Sequence, residues 1–287
     1  MTKLDKQSKD GIGSKISPGN HPFKEAPIKT LALDQLPLKQ TACNQEAYRR
    51  TALKQLAMSA LGNTGADVER LIREARQTAH RQKRRVTYAD IYEALSAGQQ
   101  QMSAELIWRI SIHEAGHALA LVAFELGTIQ TISIGNGAGG YIESQLNQHI
   151  VHDEKWVNKM IAFTLAGRAA EILIFGDAAM GSGGSEKSDL AQATQLALNA
   201  ETSLGFGQEY PLLYRNIEDQ TLVLTRDKQL AHRVHERLEA AEAMASDLLA
   251  QHKDVLQLLA NELSARKVLD AEDVRTLIGS KLSPRVP

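Results

Sequence analysis

His113-Glu114-Ala115-Gly116-His117 lies between Leu106-Ile-Trp-Arg-Ile-Ser-Ile112 and Ala118-Leu-Ala-Leu-Val-Ala-Phe124. The flanks are apolar and helix-forming, so the five residues belong on a helix. Helical residues four apart share a face, with Cβ atoms about 5–6 Å apart, so both imidazoles can reach one tetrahedral Zn²⁺ at roughly 2.0–2.1 Å. Glu114 stands one residue round from the first ligand, where its carboxylate can take a proton from a water that the metal activates. Two ligands and a general base on one turn form the pattern of a zinc-dependent peptidase. The plainer alternative is an accidental histidine pair on a buried helix. Against it, small Ala115, Gly116 and Ala118 let other backbone approach the metal face, and an apolar run has little other use for two histidines and a glutamate.

The surrounding chain has 287 residues, enough for one large or two modest domains. Aromatics make up only 5% while Ala and Leu abound, so a mostly α fold is expected. A net charge of -1 argues against a nucleic-acid-binding surface. Cys43 is the only cysteine, which excludes an intrachain disulfide and a Cys-rich zinc site and fits a reducing, cytoplasmic compartment. Arg109, His113, Glu114 and His117 interrupt the longest apolar run, so no integral membrane segment is expected. Met1 to Asn20 lack the apolar core of a signal peptide.

Residues 1–44 mix Lys, Gly, Ser and four prolines without a sustained period and read as a disordered leader. Residues 45–100 read as three helices. The first carries Ala47, Ala52, Leu53, Leu56 and Ala57 and ends at Gly62; the second and third open on the capping boxes Thr64-Gly-Ala-Asp67 and Thr87-Tyr-Ala-Asp90. The basic stretch Arg81-Gln-Lys-Arg-Arg85 reads as a solvated helix C-terminus that complements the dipole.

In residues 101–287, Ser103 caps the His113 helix, which should run to about Glu125 and stop at Gly127. Thr128–Ile134 and Gly139–Ser144 alternate around a Gly-rich turn and predict a short β-hairpin or small sheet. Gly135-x-Gly137-x-x-Gly140 matches a dinucleotide fingerprint in letters only, since a strand rather than a helix follows it. Asp153 caps an apolar helix from Trp156 to Phe175 whose one inner acid is Glu171, either a partner orienting a ligand histidine or an ion pair with Arg168. Gly181–Ser188 resembles a phosphate loop, but Glu186 stands where its second glycine must be, so the segment reads as the entry to a helix from Ser188 to near Gly205. From about Thr225 to Leu282 a long helix and shorter ones are expected, with His232, His235 and His252 as surface or packing residues. Local sequence leaves the third zinc ligand open, because Ala120 and Ala123 replace the Gly and His of a His-x-x-Gly-x-x-His extension. The candidates are Asp189, Glu171, Asp177, His149 and His152.

From Asn44 onward the chain resembles the FtsH family of AAA zinc metalloproteases, over their lid and peptidase domains. The lid-like signals are Gly62-Asn-Thr-Gly-Ala-Asp-Val68 and Arg85-Val-Thr-Tyr-Ala-Asp-Ile91. The peptidase signals are His113–His117, Gly140-Tyr141, Leu165-Ala-Gly-Arg-Ala-Ala-Glu-Ile-Leu-Ile-Phe-Gly176, Ser188-Asp-Leu190 and Glu262-Leu-x-x-x-x-Val268-Leu-Asp270. The resemblance implies a mostly helical zinc endopeptidase that degrades unfolded or misfolded polypeptides as a hexameric ring. It implies His113, His117 and Asp189 as the zinc ligands and Glu114 as the base. No Gly-x4-Gly-Lys-Ser/Thr loop occurs in the sequence, so the expectation is a peptidase without its own ATPase motor, with substrate added as a strand along Thr131–Ile134. The alternative is a subunit that assembles with a full-length ATPase of this type. A small-molecule zinc hydrolase is a weaker reading, because no second polar constellation marks a compact pocket.

Overall fold

In a computed structural model the described residues are 52–53, 56–57, 59–60, 63–97, 102–135, 139–217, 220–279 and 282. The chain divides into Met1–Gln45, which lies outside them together with the expected leader, and a unit spanning Glu46–Pro287. Most of the first expected helix also falls outside the described residues. The other two are present as α1 (Gly65–Arg81) and α2 (Tyr88–Ser96). Each opens on the expected capping box: Thr64 accepts from the Asp67 amide, Thr87 accepts from the Asp90 amide, and each aspartate accepts from its threonine amide. The basic stretch does more than complement a dipole, since Arg84 forks onto the Asp90 carboxylate with both contacts at 2.6 Å. That ion pair and the Thr87 hydrogen bonds hold the Asp90 carboxyl well below the usual range.

The core is built on α3 (Ala104–Ala123), whose Ile112, Ala115, Ala118, Leu119, Ala120 and Leu121 have no exposed surface. Ser103 caps it by accepting from the Leu106 amide. The helix ends at Ala123, with Phe124 as its cap, just short of the expected Glu125, because Glu125 takes the left-handed conformation (φ 59) and the Leu126 amide closes back on the Leu121 carbonyl. Gly127 is thereby released to open β1. A Cβ at Gly127 would collide with the Gln145 carbonyl of the neighbouring strand, so glycine serves close strand approach and not the helix stop.

β1 (Gly127–Gly135) and β2 (Gly139–Leu146) pair antiparallel as the alternation predicts; their turn, residues 136–138, is outside the described residues. The register slips between Ile129 and Thr131, and the extra residue lets Ile129 join Ile132 and Ile134 in the core despite odd spacing. A third strand, β3 (Val268–Asp270), pairs with the other side of β1 through Thr131↔Asp270, Ile132↔Leu269 and Ser133↔Val268. The strand order β2-β1-β3 overturns the expectation that Thr131–Ile134 is a free edge for substrate: β1 is central, and the Ile134 amide also donates to the Lys267 carbonyl.

α4 (Glu154–Phe175) packs on α3 and is capped by Asp153 at its start and by left-handed Gly176 at its end. It approaches α3 closely because Gly116 lacks a side chain; a Cβ there would lie 2.6 Å from the Ala166 carbonyl oxygen. α5 (Asp189–Thr202), α6 (Gln220–Arg226), α7 (Lys228–Gln251), α8 (Lys253–Arg266) and α9 (Ala271–Gly279) follow. α7 closes over α4 and α5, and α8 over α3. The chain is mostly α with a small three-stranded sheet. Among the described residues, no helix is long and apolar enough to cross a membrane.

Candidate metal centre

From Ser111 to Leu121 α3 is almost wholly buried, and the polar side chains of its metal face meet other elements. His113 and His117 emerge between α4 and the start of α5. The His117 Nδ1 lies 2.9 Å from the Phe163 carbonyl oxygen, which can only accept, so the ring proton sits on Nδ1 and the Nε2 lone pair is left free. The His113 Nδ1 is oriented in the same way by Glu171 Oε1 at 2.8 Å. Gly167 makes room for both rings: a Cβ there would lie 2.6 Å from the His113 Nε2 and closer still to that of His117.

Asp189 is the first residue of α5, brought in by the Gly-rich entry loop and fixed by Ser188, whose hydroxyl accepts from the Ala191 amide. Its Oδ2 lies 3.1 Å from His113 Nε2 and 3.5 Å from His117 Nε2, while the two Nε2 atoms are 3.1 Å apart. The edges of a tetrahedron with bonds of about 2.0–2.1 Å are roughly 3.3–3.4 Å, so the triangle fits one small divalent cation of zinc type. Among the described residues, His113, His117 and Asp189 are the one group of three or more potential ligand residues whose donor atoms converge in this way.

Burial opposes a charge on His113, yet the hydrogen bonds to Asp189 and Glu171 outweigh it and push the imidazole up to about 10. Burial likewise opposes the Asp189 anion, and the two histidines override it and hold that carboxyl well below its usual range. The cluster therefore calls for one positive charge, whether proton or metal. Glu114 behaves differently. Burial pushes its carboxyl up, only partly offset by His117 and His113, which suits a group that must accept a proton near neutral pH. The main chain of Gly140 lies against this carboxylate, and any Cβ there would collide with it. The glycine that weakly mimicked a dinucleotide motif thus lets β2 approach Glu114.

The other third-ligand candidates separate cleanly. Glu171 is 2% exposed and supports His113 from behind, so its expected alternative partner, Arg168, is free to pair with Glu242 of α7 at 3.0 Å. Asp177 is exposed and pairs with Arg109. His152 stacks on Trp156, and the exposed His149 lies in the turn that precedes it. Neither joins the cluster. His232 and His235 are exposed, each next to a glutamate one turn on. Sequence reasoning passed over Arg109 except as a break in an apolar run; its place four residues before His113, on the same helical face, was the available signal.

His113, Glu114, His117 and Asp189 line an open cleft of about 1080 Å³. Met102, Leu106, Ile110 and Phe163 supply apolar wall, and Gly139–Ile142 of β2 form another side. The outer strands of the sheet are β2 and β3, and of the two it is β2 that lines the cleft.

Residues 100–277 match Peptidase family M41. The chain is 31% identical to the ATP-dependent zinc metalloprotease FtsH of Thermus thermophilus over 246 residues, covering 79% of this chain and 39% of that protein. It is 31% identical to FtsH 2 of Sphaerobacter thermophilus over 252 residues, 79% of this chain and 36% of the relative. With FtsH of Bacillus subtilis the identity is 28%, over 79% of this chain and 39% of that protein. The chain thus spans about two fifths of the length of the curated relatives it matches. Since the family match takes in more than half of the chain, including α3 with its histidine pair and α5 with Asp189, this protein belongs to Peptidase family M41.

Proposed function

We propose that this chain is a zinc-dependent endopeptidase that cleaves unfolded polypeptide, with His113, His117 and Asp189 as metal ligands and Glu114 as general base. The observation that carries the reading is the convergence of three oriented lone-pair donors beside a carboxylate of raised pKa, in an open cleft. Bound zinc supplies Lewis acidity, lowering the pKa of the attacking water to about 7 and polarising the scissile carbonyl. Glu171 and the Phe163 carbonyl hold both imidazoles in the Nδ1–H form, so each presents Nε2 without reorganisation. Glu114 takes the proton of the attacking water and delivers it to the leaving amine. An extended substrate aligns along the free edge of β2, where backbone hydrogen bonds give affinity with little sequence selectivity. This edge brings the substrate to Gly140 and Glu114.

The names of the relatives carry ATP dependence, but on this reading the residues that act in hydrolysis all line one cleft. The chemistry itself needs no nucleotide. On the same reading α1 and α2 form a lid-like module through which the chain can join an AAA ATPase or a ring of its own copies. The test is casein cleavage by the purified 287-residue protein without ATP. Cleavage that stops with a chelator and returns with Zn²⁺ is expected. A metal-replete protein inert on casein alone, but active when mixed with a full-length FtsH-type ATPase, would transfer the reading to the subunit alternative.

A further inference from the structure

Behind the metal ligands lies a second layer that joins two distant parts of the chain. Arg109 stands one turn before His113 on α3, and its guanidinium forks: Nη1 donates to Glu171 Oε2 at 3.0 Å and Nη2 to Asp177 Oδ1 at 2.8 Å. Its flat face lies over the Phe175 ring, 4.3 Å from the centroid. Glu171 uses its other oxygen for His113 Nδ1, and Oε2 also accepts from the Ala179 amide at 2.8 Å. One arginine thus touches α3, the end of α4 and the loop that leads to Asp189. The planar fork suits this post, since a lysine ammonium on a flexible stem cannot lie flat on Phe175 while meeting two carboxylates at fixed angles.

We infer that Arg109 is a positioning residue for the metal centre: through Glu171 and Asp177 it fixes the Asp189 entry loop against the helix that carries both histidines. Neither His113 nor His117 touches the loop before Asp189 through its ring Nδ1. The Glu171–Arg109 pair supplies the link, so the three donors are held at their mutual distances before metal arrives. The inference rests on the proposed metal reading.

The test is Zn²⁺ affinity, measured by competition with a chelating dye on wild type, Arg109→Met, Arg109→Lys, Glu171→Gln and the Arg109→Met/Glu171→Gln double variant. Metal-free melting temperatures are measured alongside. Loss of an outer partner commonly weakens metal binding about 10- to 100-fold, and that range is expected for Arg109→Met, with partial recovery in Arg109→Lys. Because Arg109 acts through Glu171, the double variant should lose little more than the worse single one. A metal-free melt close to wild type in Arg109→Met would separate positioning from general destabilisation. Wild type that binds zinc tightly with Arg109→Met equally tight, or losses that multiply in the double variant, would overturn the inference. Wild type that binds no zinc would instead overturn the metal reading.

Discussion

Two buried polar clusters lie on either side of α4, and they are wired in opposite ways. Around Glu201, which is 6% exposed, every charge meets its complement. Arg237 donates to one carboxylate oxygen at 2.8 and 3.2 Å, and Arg233 to the other at 3.3 Å. Arg237 then reaches Glu154, Asn158 and the Phe206 carbonyl, while Arg233 reaches Glu209. That network is closed, and its product is the joining of α4, α5 and α7. Around His113 the outer layer is just as complete, but the inner side presents two imidazole lone pairs and a carboxylate to one another. A cluster that satisfies itself reports on folding; one whose acceptors converge beside a cleft reports on a ligand.

The sharpest way to break this contrast is Glu114→Gln. The amide keeps the shape and removes the proton acceptor, so proteolysis should fall by about 10²- to 10⁴-fold. Zinc affinity should stay within about threefold, because Glu114 is no ligand on this reading. The carboxyl is already pushed up by burial, so the neutral amide should leave the melting temperature unchanged or slightly raised. Near wild-type, chelator-sensitive cleavage by this variant would remove Glu114 from the mechanism.

Arg237→Met makes the opposite cut. It leaves Glu201 with Arg233 as its remaining arginine, and removing one member of a buried ion network costs about 3–5 kcal/mol. The lower end is expected, since Arg233 remains and the methionine keeps part of the buried stem. Urea unfolding should show the loss while zinc affinity of the folded protein is unchanged. A fall in zinc affinity larger than the stability loss explains would mean that the two clusters are coupled through α4.

How far the sequence foretold these clusters follows from the range of the interactions. Local devices were legible: the boxes at Thr64 and Thr87, the caps Ser103 and Asp153, the Gly176 stop, and the His113/His117 face. Pairings between distant elements were not. Glu171 was read either as orienting a ligand histidine or as pairing with Arg168 three residues away; it does meet His113, while tertiary packing turns Arg168 to Glu242 and brings Arg109 to Glu171 from another helix. β3 was invisible because three residues between helices carry no period-2 signal; pairing with β1 makes them a strand. Missing it made β1 look like an edge strand. Asp189 was one of five candidates by local reasoning, and only the family resemblance singled it out before the fold brought it to the histidines.

The last expected effect is the dependence of metal-free stability on pH, and its sign follows from His113. The imidazole is pushed up to about 10 in the fold, against an ordinary value near 6.5, with Asp189 and Glu171 holding its proton. A raised pKa means that the folded state binds this proton more tightly than the unfolded chain. The stabilisation is therefore fully present below about pH 6.5 and is lost as pH rises through about 10. In chelator, the melting temperature should fall as pH rises across that window. Asp189→Asn should flatten the decline, because an amide does not hold the proton as a carboxylate does. Arg237→Met should lower the whole curve without tilting it, since its partners Glu201, Glu154 and Asn158 do not touch His113. Saturating zinc should remove the slope as well, as metal and proton compete for Nε2 of His113. A metal-free protein whose melting temperature is level from pH 6.5 to 10, or rises, would show that the centre does not hold its positive charge as a proton when metal is absent.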